Sequence, residues 1–463
     1  MGHSGYIQIE LAPEERVKIC EHPDLAPPTH SEKRAKVRFA RKGNMTTLKK
    51  QFAVDDPHFL SEVLNASRRS INTTRPEVAK ITGLSRTLVT KYIDIGLEMG
   101  LLQEGELGNS KGGRAPRLLE FRKNAGFLLI AELGATGMSL ARTDLSGNIE
   151  TFLKIDIDIS QELDAIFELV EKTFDEMRCD GAGNLWGIGI GLPGPVEFAS
   201  GIPVSPPIMP GWHRYPVRQR LSEKYQAPVW IDNDVNLMAL GEATINPDQK
   251  HQEFIYVKIG NGIGAAIISH GKLHRGAQGS AGDIGHIAVT EPTEIVCRCG
   301  NFGCLEAIAG GGALARDAAL AIESGNSDFL AGLLRKNGTI TARDVIEGAK
   351  HADAWSIQAI NKTGRQVGNV LAALINFYNP PLIIIGGGVA KAGNPLLAAI
   401  RETVYRRSLP LATSNLEIRL GESGNQTGLH GAAEMILSEL FAPEILSQWA
   451  ESGSPTLPIV YEK

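Results

Sequence analysis

Three cysteines and a histidine stand close together in a chain that otherwise uses thiols sparingly. Cys297, Cys299 and Cys304 fall within eight residues, with His286 shortly before them, while Cys20 and Cys179 are isolated. A framework of disulfides would space its cysteines more widely. Clustered thiols in a chain without an export signal read instead as metal ligands. Three thiolates and one imidazole complete a tetrahedral Cys3His set, which suits Zn2+. Cys297-Arg298-Cys299-Gly300 predicts a tight hairpin that aims two sulfurs at one ion, and Gly300 and Gly303 let the chain return to bring in Cys304. With four protein ligands no position is left for water, so the expected zinc is structural and not a Lewis acid.

A second set of residues could read DNA. Thr74-Arg75-Pro76-Glu77 forms a capping box, with Thr74 as N-cap and Pro76 in the first turn, where a missing N–H costs little. A short helix through Val78, Ala79 and Ile81 follows, then a Gly83-Leu84-Ser85 turn. Ser85 caps a second helix that runs to about Met99 and ends at Gly100. Helix, tight turn, helix is the arrangement that lays a recognition helix in the major groove. Ser85, Arg86, Thr87, Thr90 and Lys91 would face DNA, while Leu88, Val89, Ile93 and Leu97 would face the core. Gly96 in mid-helix costs ~1 kcal/mol against Ala, so it marks either close packing or a misplaced helix end. Leu101 and Leu102, then Leu118, Leu119 and Phe121, predict the two strands of a wing. Beyond the wing tip, Gly112-Gly113-Arg114 is slender enough either to place Arg114 in a minor groove or to serve as a plain linker.

These elements sit in a chain of 463 residues with a formal charge of −5, so the whole is not a basic nucleic-acid binder. The charge is uneven: Lys33 to Lys50 holds eight Lys or Arg and no acid. Residues 1–55 therefore read as a basic arm, either solvated or laid along phosphates, ahead of a DNA-binding module at 56–123. No apolar run approaches the ~18 residues a membrane helix needs, and no secretory signal is visible, so a cytoplasmic protein is expected. From residue 124 apolar strands alternate with helices: 127–133, 138–144, 149–157, 185–192, 228–232, 254–260 and 381–390 are strand-like, and helices are expected around 161–178 and 355–376. That alternation implies an α/β protein with sheets covered on both faces, long enough for two lobes.

Here the chain resembles the ROK proteins (repressors, open reading frames and sugar kinases). GSAGDIGHIAV (279–289) and CRCGNFGCLEAIAG (297–310) are similar to the family's most specific signatures, and WIDNDVNLMALGE (230–242) to its sugar motif. The resemblance covers about residues 58–440 and implies an actin-like, hexokinase-type two-lobed fold behind a winged helix-turn-helix. It implies a small lobe at 124–232, rejoined by a helix at 428–442, and a large lobe at 233–427. By the same resemblance Asn233, Asp234, Asp283, His286 and Glu306 would contact sugar hydroxyls, with Asp234 at the catalytic-base position and His286 serving both zinc and sugar. The chemistry agrees, because carboxylates and amides match hydroxyls that both donate and accept, and an imidazole with one nitrogen on a metal keeps the other N–H as a fixed donor.

The family's kinases carry D-x-G-G-T on the first strand and G-T-G-x-G in a second loop. This chain has Glu132-Leu133-Gly134-Ala135-Thr136 and Gly260-Asn261-Gly262-Ile263-Gly264, while Gly386-Gly387-Gly388 keeps the third loop. A retained sugar side with two altered phosphate loops points to a sensor without ATP and Mg2+. The expectation is a sugar-responsive repressor of carbohydrate metabolism that acts on double-stranded DNA as a homodimer or homotetramer. The alternative is a working sugar kinase that keeps a DNA-binding module.

Overall fold

The computed structural model describes residues 56–70, 72–108, 115–179, 183–209, 211–245, 252–289, 295–422, 424–455 and 459–461. Residues 1–55 and Arg114 lie outside the described residues, so the basic arm and the minor-groove reading stay expectations.

The first element among the described residues is α1 (Pro57–Arg68), capped by the Asp56 carboxylate, which accepts from the His58 amide at 2.9 Å. A two-residue strand, β1 (Thr73–Thr74), leads into α2 (Arg75–Thr82) and α3 (Arg86–Glu98). The predicted caps are in place: Thr74 Oγ1 accepts from the Glu77 amide at 3.4 Å, and Ser85 Oγ accepts from the Leu88 amide at 3.3 Å. β2 (Leu102–Leu107) and β3 (Arg117–Phe121) pair antiparallel, and β1 joins the far side of β3. Gly96 is explained by packing, since a Cβ there would stand 2.8 Å from Leu102 Cδ1 and 3.2 Å from Leu64 Cδ2.

Two five-stranded sheets follow with the same plan. In the first, β4 (Gly126–Leu133), β5 (Met138–Asp144) and β6 (Ile149–Ile155) form an antiparallel meander. After α4 (Leu163–Cys179), β7 (Asn184–Leu192) pairs parallel to β4. A small hairpin, β8 (Val196–Glu197) and β9 (Ile202–Pro203), and α5 (Val217–Tyr225) come next, and β10 (Val229–Asn233) closes the sheet parallel to β7. α6 (Asp234–Ile245) then leads into the second sheet, where β11 (Phe254–Ile259), β12 (Ile263–Ser269) and β13 (Lys272–His274) repeat the meander. Five helices follow: α7 (Leu305–Ala309), α8 (Gly311–Glu323), α9 (Asp328–Asn337), α10 (Ala342–Lys350) and the long α11 (Ala354–Tyr378). β14 (Leu382–Gly386) adds parallel to β11, and after α12 (Asn394–Arg407) and α13 (Pro410–Thr413), β15 (Glu417–Leu420) completes the sheet.

The last helices, α14 (Thr427–Leu440) and α15 (Pro443–Trp449), return to the first sheet. One core joins this end to the beginning of the chain: Leu60, Val63, Leu64, Val89 and Ile93 share a buried cluster with Ile130, Trp186, Ile436, Phe441 and Trp449. Arg68 reaches Glu434 on α14 through both guanidinium nitrogens, at 3.1 and 3.2 Å, and Ser61 donates to the Phe441 carbonyl at 2.5 Å. α14 also lies against α6, so closely that a Cβ on Gly431 would strike the Leu237 carbonyl and one on Gly241 the Thr427 carbonyl. Beyond α15, Tyr461 accepts from the Val229 amide at 2.8 Å and lies 4.0 Å from the Arg218 guanidinium above its ring. Among the described residues no helix is long and apolar enough to cross a membrane.

Candidate functional site

The ends of both sheets and the start of α6 enclose a cavity of ≈ 630 Å³. Asn233, Asp234, Asp283, His286 and Glu306, from three stretches of chain, all line it. Asp234 is the first residue of α6, where a carboxylate meets the positive end of the helix, and it is 2% exposed. Asn233 anchors the same turn: its Oδ1 accepts from the Val235 amide at 2.9 Å, and its Nδ2 donates to the Gly194 carbonyl at 2.9 Å. Glu306 lies in the first turn of α7, and its Oε2 accepts from the Ile263 amide at 3.1 Å. It thereby ties the metal-ligand loop to the start of β12. Of the three glycine-bearing loops, Ala135, Thr136, Gly260, Asn261, Gly262, Gly264 and Gly388 line the cavity, whereas Gly134, Gly386 and Gly387 do not. Glu132 stands deeper, where a Cβ on Gly428 of α14 would meet its carboxylate, and burial pushes its carboxyl up to about 7 against the opposing pull of Lys258.

His286, Cys297, Cys299 and Cys304 bring one ligand atom each to within 4.8 Å of all the others. A tetrahedral zinc with bonds of ~2.3 Å to sulfur and ~2.0 Å to nitrogen requires edges of about 3.8 Å between sulfurs and about 3.5 Å between sulfur and nitrogen. The Cys299–Cys304 sulfurs are 3.7 Å apart, and Cys297 Sγ is 3.6 Å from His286 Nδ1, so these two edges match the ion and the donor types suit it. The local fold explains this. The Cys297 amide donates to the Asn301 carbonyl and the Gly300 amide to the Cys297 carbonyl, which closes the expected hairpin. A bridge between Ala288 and Cys304 then brings the third thiol back beside His286. With Nδ1 turned to the thiols, Nε2 of His286 is left facing the cavity, 4.0 Å from Asp283 Oδ1.

Sequence reasoning missed two cations that link the two sheets, of which Lys258 lines the cavity and Arg275 does not. Asp232 is 1% exposed and accepts from Arg275 Nε at 2.8 Å, Asn236 Nδ2 at 2.7 Å and the Asn233 amide at 2.7 Å. Arg275 follows β13 of the second sheet and also lies 3.7 Å above the Phe198 ring. Lys258 of β11 pairs with Asp234. The carboxylates on either side of Asn233 are thus both held from the opposite sheet. The available signal was Lys258 itself, a lone charge in the apolar run FIYVKIG.

Away from the cavity, Ser85, Arg86, Thr87, Thr90 and Lys91 are all exposed on one side of α3, whereas Val89 and Ile93 are buried.

Residues 129–439 match the ROK family. The chain belongs to that family. It is 32% identical over 373 residues to the xylose repressor of Caldicellulosiruptor bescii, covering 80% of this chain and 92% of the relative. It is 34% identical over 253 residues to a glucokinase of Halalkalibacterium halodurans, covering 55% of this chain and 76% of that enzyme. Among solved structures, a ROK family transcriptional regulator homologous to the Escherichia coli Mlc protein superposes with a TM-score of 0.71 at 24% identity, over 85% of this chain and all of the other. That likeness supports the two-lobed fold.

Proposed function

We propose that this ROK protein is a sugar-responsive transcriptional repressor of carbohydrate genes, working in the cytoplasm where its DNA is. Residues 56–123 serve as the winged helix-turn-helix, with Ser85, Arg86, Thr87, Thr90 and Lys91 toward DNA. The lobes at 124–232 and 233–427, with the helix at 428–442, form the effector domain. One observation carries the reading: the same helix pair connects the pocket to the N-terminal module. α6 begins at Asp234 in the pocket and packs on α14, and α14 holds α1 through Arg68–Glu434 and the shared core. The resemblance to a xylose repressor across nearly its full length supports it.

A sugar in the cavity takes hydrogen bonds from Asn233 and from the His286 N–H opposite the metal, and gives its hydroxyl protons toward Asp234, Asp283 and Glu306. The zinc on His286, Cys297, Cys299 and Cys304 fixes the imidazole and so orients one donor. Closing the lobes around the sugar shifts α6 against α14, and a homodimer then presents its two recognition helices at a different spacing. The effect on DNA affinity is limited to the sugar's preference for one lobe arrangement over the other. In this reading Glu132, Ala135 and Asn261 leave the phosphate loops unsuited to ATP, and turnover is not part of the function. A second reading, an active sugar kinase, draws on the glucokinase relative and on Asp234 at the base position.

The deciding experiment measures operator binding by Asp234→Asn and Glu306→Ala with and without sugar. Each substitution is expected to abolish the sugar effect and leave unliganded DNA binding intact. A sugar effect that persists in both overturns the pocket assignment. ATP-dependent phosphorylation of glucose or xylose by the wild-type protein would favour the second reading.

A further inference from the structure

Lys258 is the only charged residue of β11, among Phe254, Ile255, Tyr256, Val257 and Ile259. Its register partners are Gly264 on β12 and Gly386 on β14. Neither carries a side chain, and the room this leaves is taken by Tyr256 of the same strand, whose hydroxyl a Cβ on Gly386 would strike, and by Val235 of α6, 3.1 Å from where a Cβ on Gly264 would stand. The lysine stem runs beneath the second loop, its Cε 3.3 Å from where a Cβ on Gly260 would stand. The ammonium ends on Asp234 Oδ2, and its field also reaches Glu132 and Glu306. Burial works against the charge, but those three carboxylates outweigh it and hold the lysine above its ordinary range.

Carboxylates that converge from separate elements at the floor of a cleft are what a divalent cation requires. Here a cation tethered to the chain stands among them. We propose that Lys258 is a built-in counter-cation and the positioning residue of the pocket: it neutralises the Asp234, Glu132 and Glu306 cluster, fixes which oxygen of Asp234 faces the cavity, and lets the pocket bind an uncharged sugar without a divalent cation. The inference rests on the sugar-sensor reading above. It also accounts for the absence of turnover in that reading, because a carboxylate committed to an ammonium is a poor acceptor for a hydroxyl proton. Asp234 and Glu306 against one ammonium, with Glu132 drawn toward its protonated form by burial, leave no surplus positive charge at the floor, so the ligand class is a neutral polyol and not a sugar that turns a phosphate inward.

The test is calorimetric titration of the full-length protein with D-xylose and with D-glucose, with and without millimolar Mg2+. Paramagnetic resonance then measures Mn2+ uptake in the same samples. Wild type is expected to bind one of the sugars with equal affinity in both buffers. Lys258→Met, which keeps the stem and loses the charge, is expected to bind about tenfold more weakly without Mg2+, the loss typical of one charge-assisted contact, and to recover with it. It should take up one additional Mn2+ that the double variant Lys258→Met, Asp234→Asn does not bind, and Lys258→Arg should restore metal-independent binding. The proposal is overturned if wild type needs Mg2+ for sugar, or if Lys258→Met binds sugar like wild type and takes up no additional Mn2+. Tighter binding of a phosphorylated sugar than of its neutral parent overturns the ligand class. Should Lys258→Met not fold, the wild-type Mg2+ comparison and Lys258→Arg still decide. A wild type that binds neither sugar counts against the sensor reading, while the Mn2+ comparison still judges Lys258.

Discussion

The Arg68–Glu434 contact should hold the N-terminal helices on the two-sheet body of the protein, and its strength follows from its surroundings. Arg68 is 3% exposed and Glu434 14%, so both charges have left water. Arg69, which also touches Glu434 at 2.6 Å, is 61% exposed and is the weaker partner of the two. Burial alone would raise the Glu434 carboxyl, but the two arginines and Ser438 hold it at about 2 against an ordinary 4.5. At ~1.4 kcal/mol per unit of pKa, that difference is worth about 3 kcal/mol, which agrees with the ~3–5 kcal/mol lost when one partner of a buried pair is removed. Because the value in the folded protein lies below the unfolded one, this stabilisation is complete above pH ~4.5 and is lost as pH falls toward 2. Glu434→Gln is therefore expected to lower stability by about 3 kcal/mol near neutral pH and by much less in acid. Trp186 and Trp449, with ring centroids 5.2 Å apart beside Phe441, lie within this junction. Their fluorescence in urea reports its separation. The double variant Arg68→Met, Glu434→Leu removes both charges together and should recover most of the loss. If Glu434→Gln changes stability by less than ~0.5 kcal/mol, or the double variant is no more stable than the single, the ion pair does not hold the junction.

Three further outcomes follow from the geometry. Native mass spectrometry should find one zinc per chain, and Cys304→Ser should lose it together with the sugar response, because His286 is then no longer held; a metal-free wild type would contradict the assignment. Arg86→Ala and Lys91→Ala should weaken DNA binding, and wherever the lost contact is to phosphate the slope of log affinity against log salt should fall by about one. Unchanged affinity in both would remove α3 as the recognition helix. Gly431→Ala forces a Cβ into the Leu237 carbonyl, so it should cost ~1–3 kcal/mol and weaken the sugar response of DNA binding. An equally stable, fully responsive variant would show that the α6–α14 crossing does not carry the signal.

Much of this architecture was legible in local signals. Apolar runs such as 127–133 and 254–260 became strands nearly to the residue, because period and bounding turns agree over a few neighbours. Caps at Thr74 and Ser85 and the metal hairpin are likewise local chemistry. What escaped depends on partners far away in sequence. β1 is two residues long and exists only through its pairing with β3. Arg68 meets Glu434 across 366 positions, and Arg275 meets Asp232 across 43. No periodicity reports such contacts. α15 and the tail that places Tyr461 beneath Arg218 similarly owe their positions to the surfaces they cover. In the pocket, motif residues were readable because each is chemically unusual where it stands. Lys258 was equally unusual, but its meaning depends on carboxylates that only the folded sheets bring to it.

The proposed coupling is between sequence-specific DNA binding and sugar recognition in one chain. It is tested most directly by passing a fragmented pool of the source genome over the purified full-length protein and eluting with individual sugars. A few discrete fragments are expected to be retained at physiological salt, and one sugar to change their retention. Only diffuse, salt-sensitive retention, indifferent to every sugar, would contradict it.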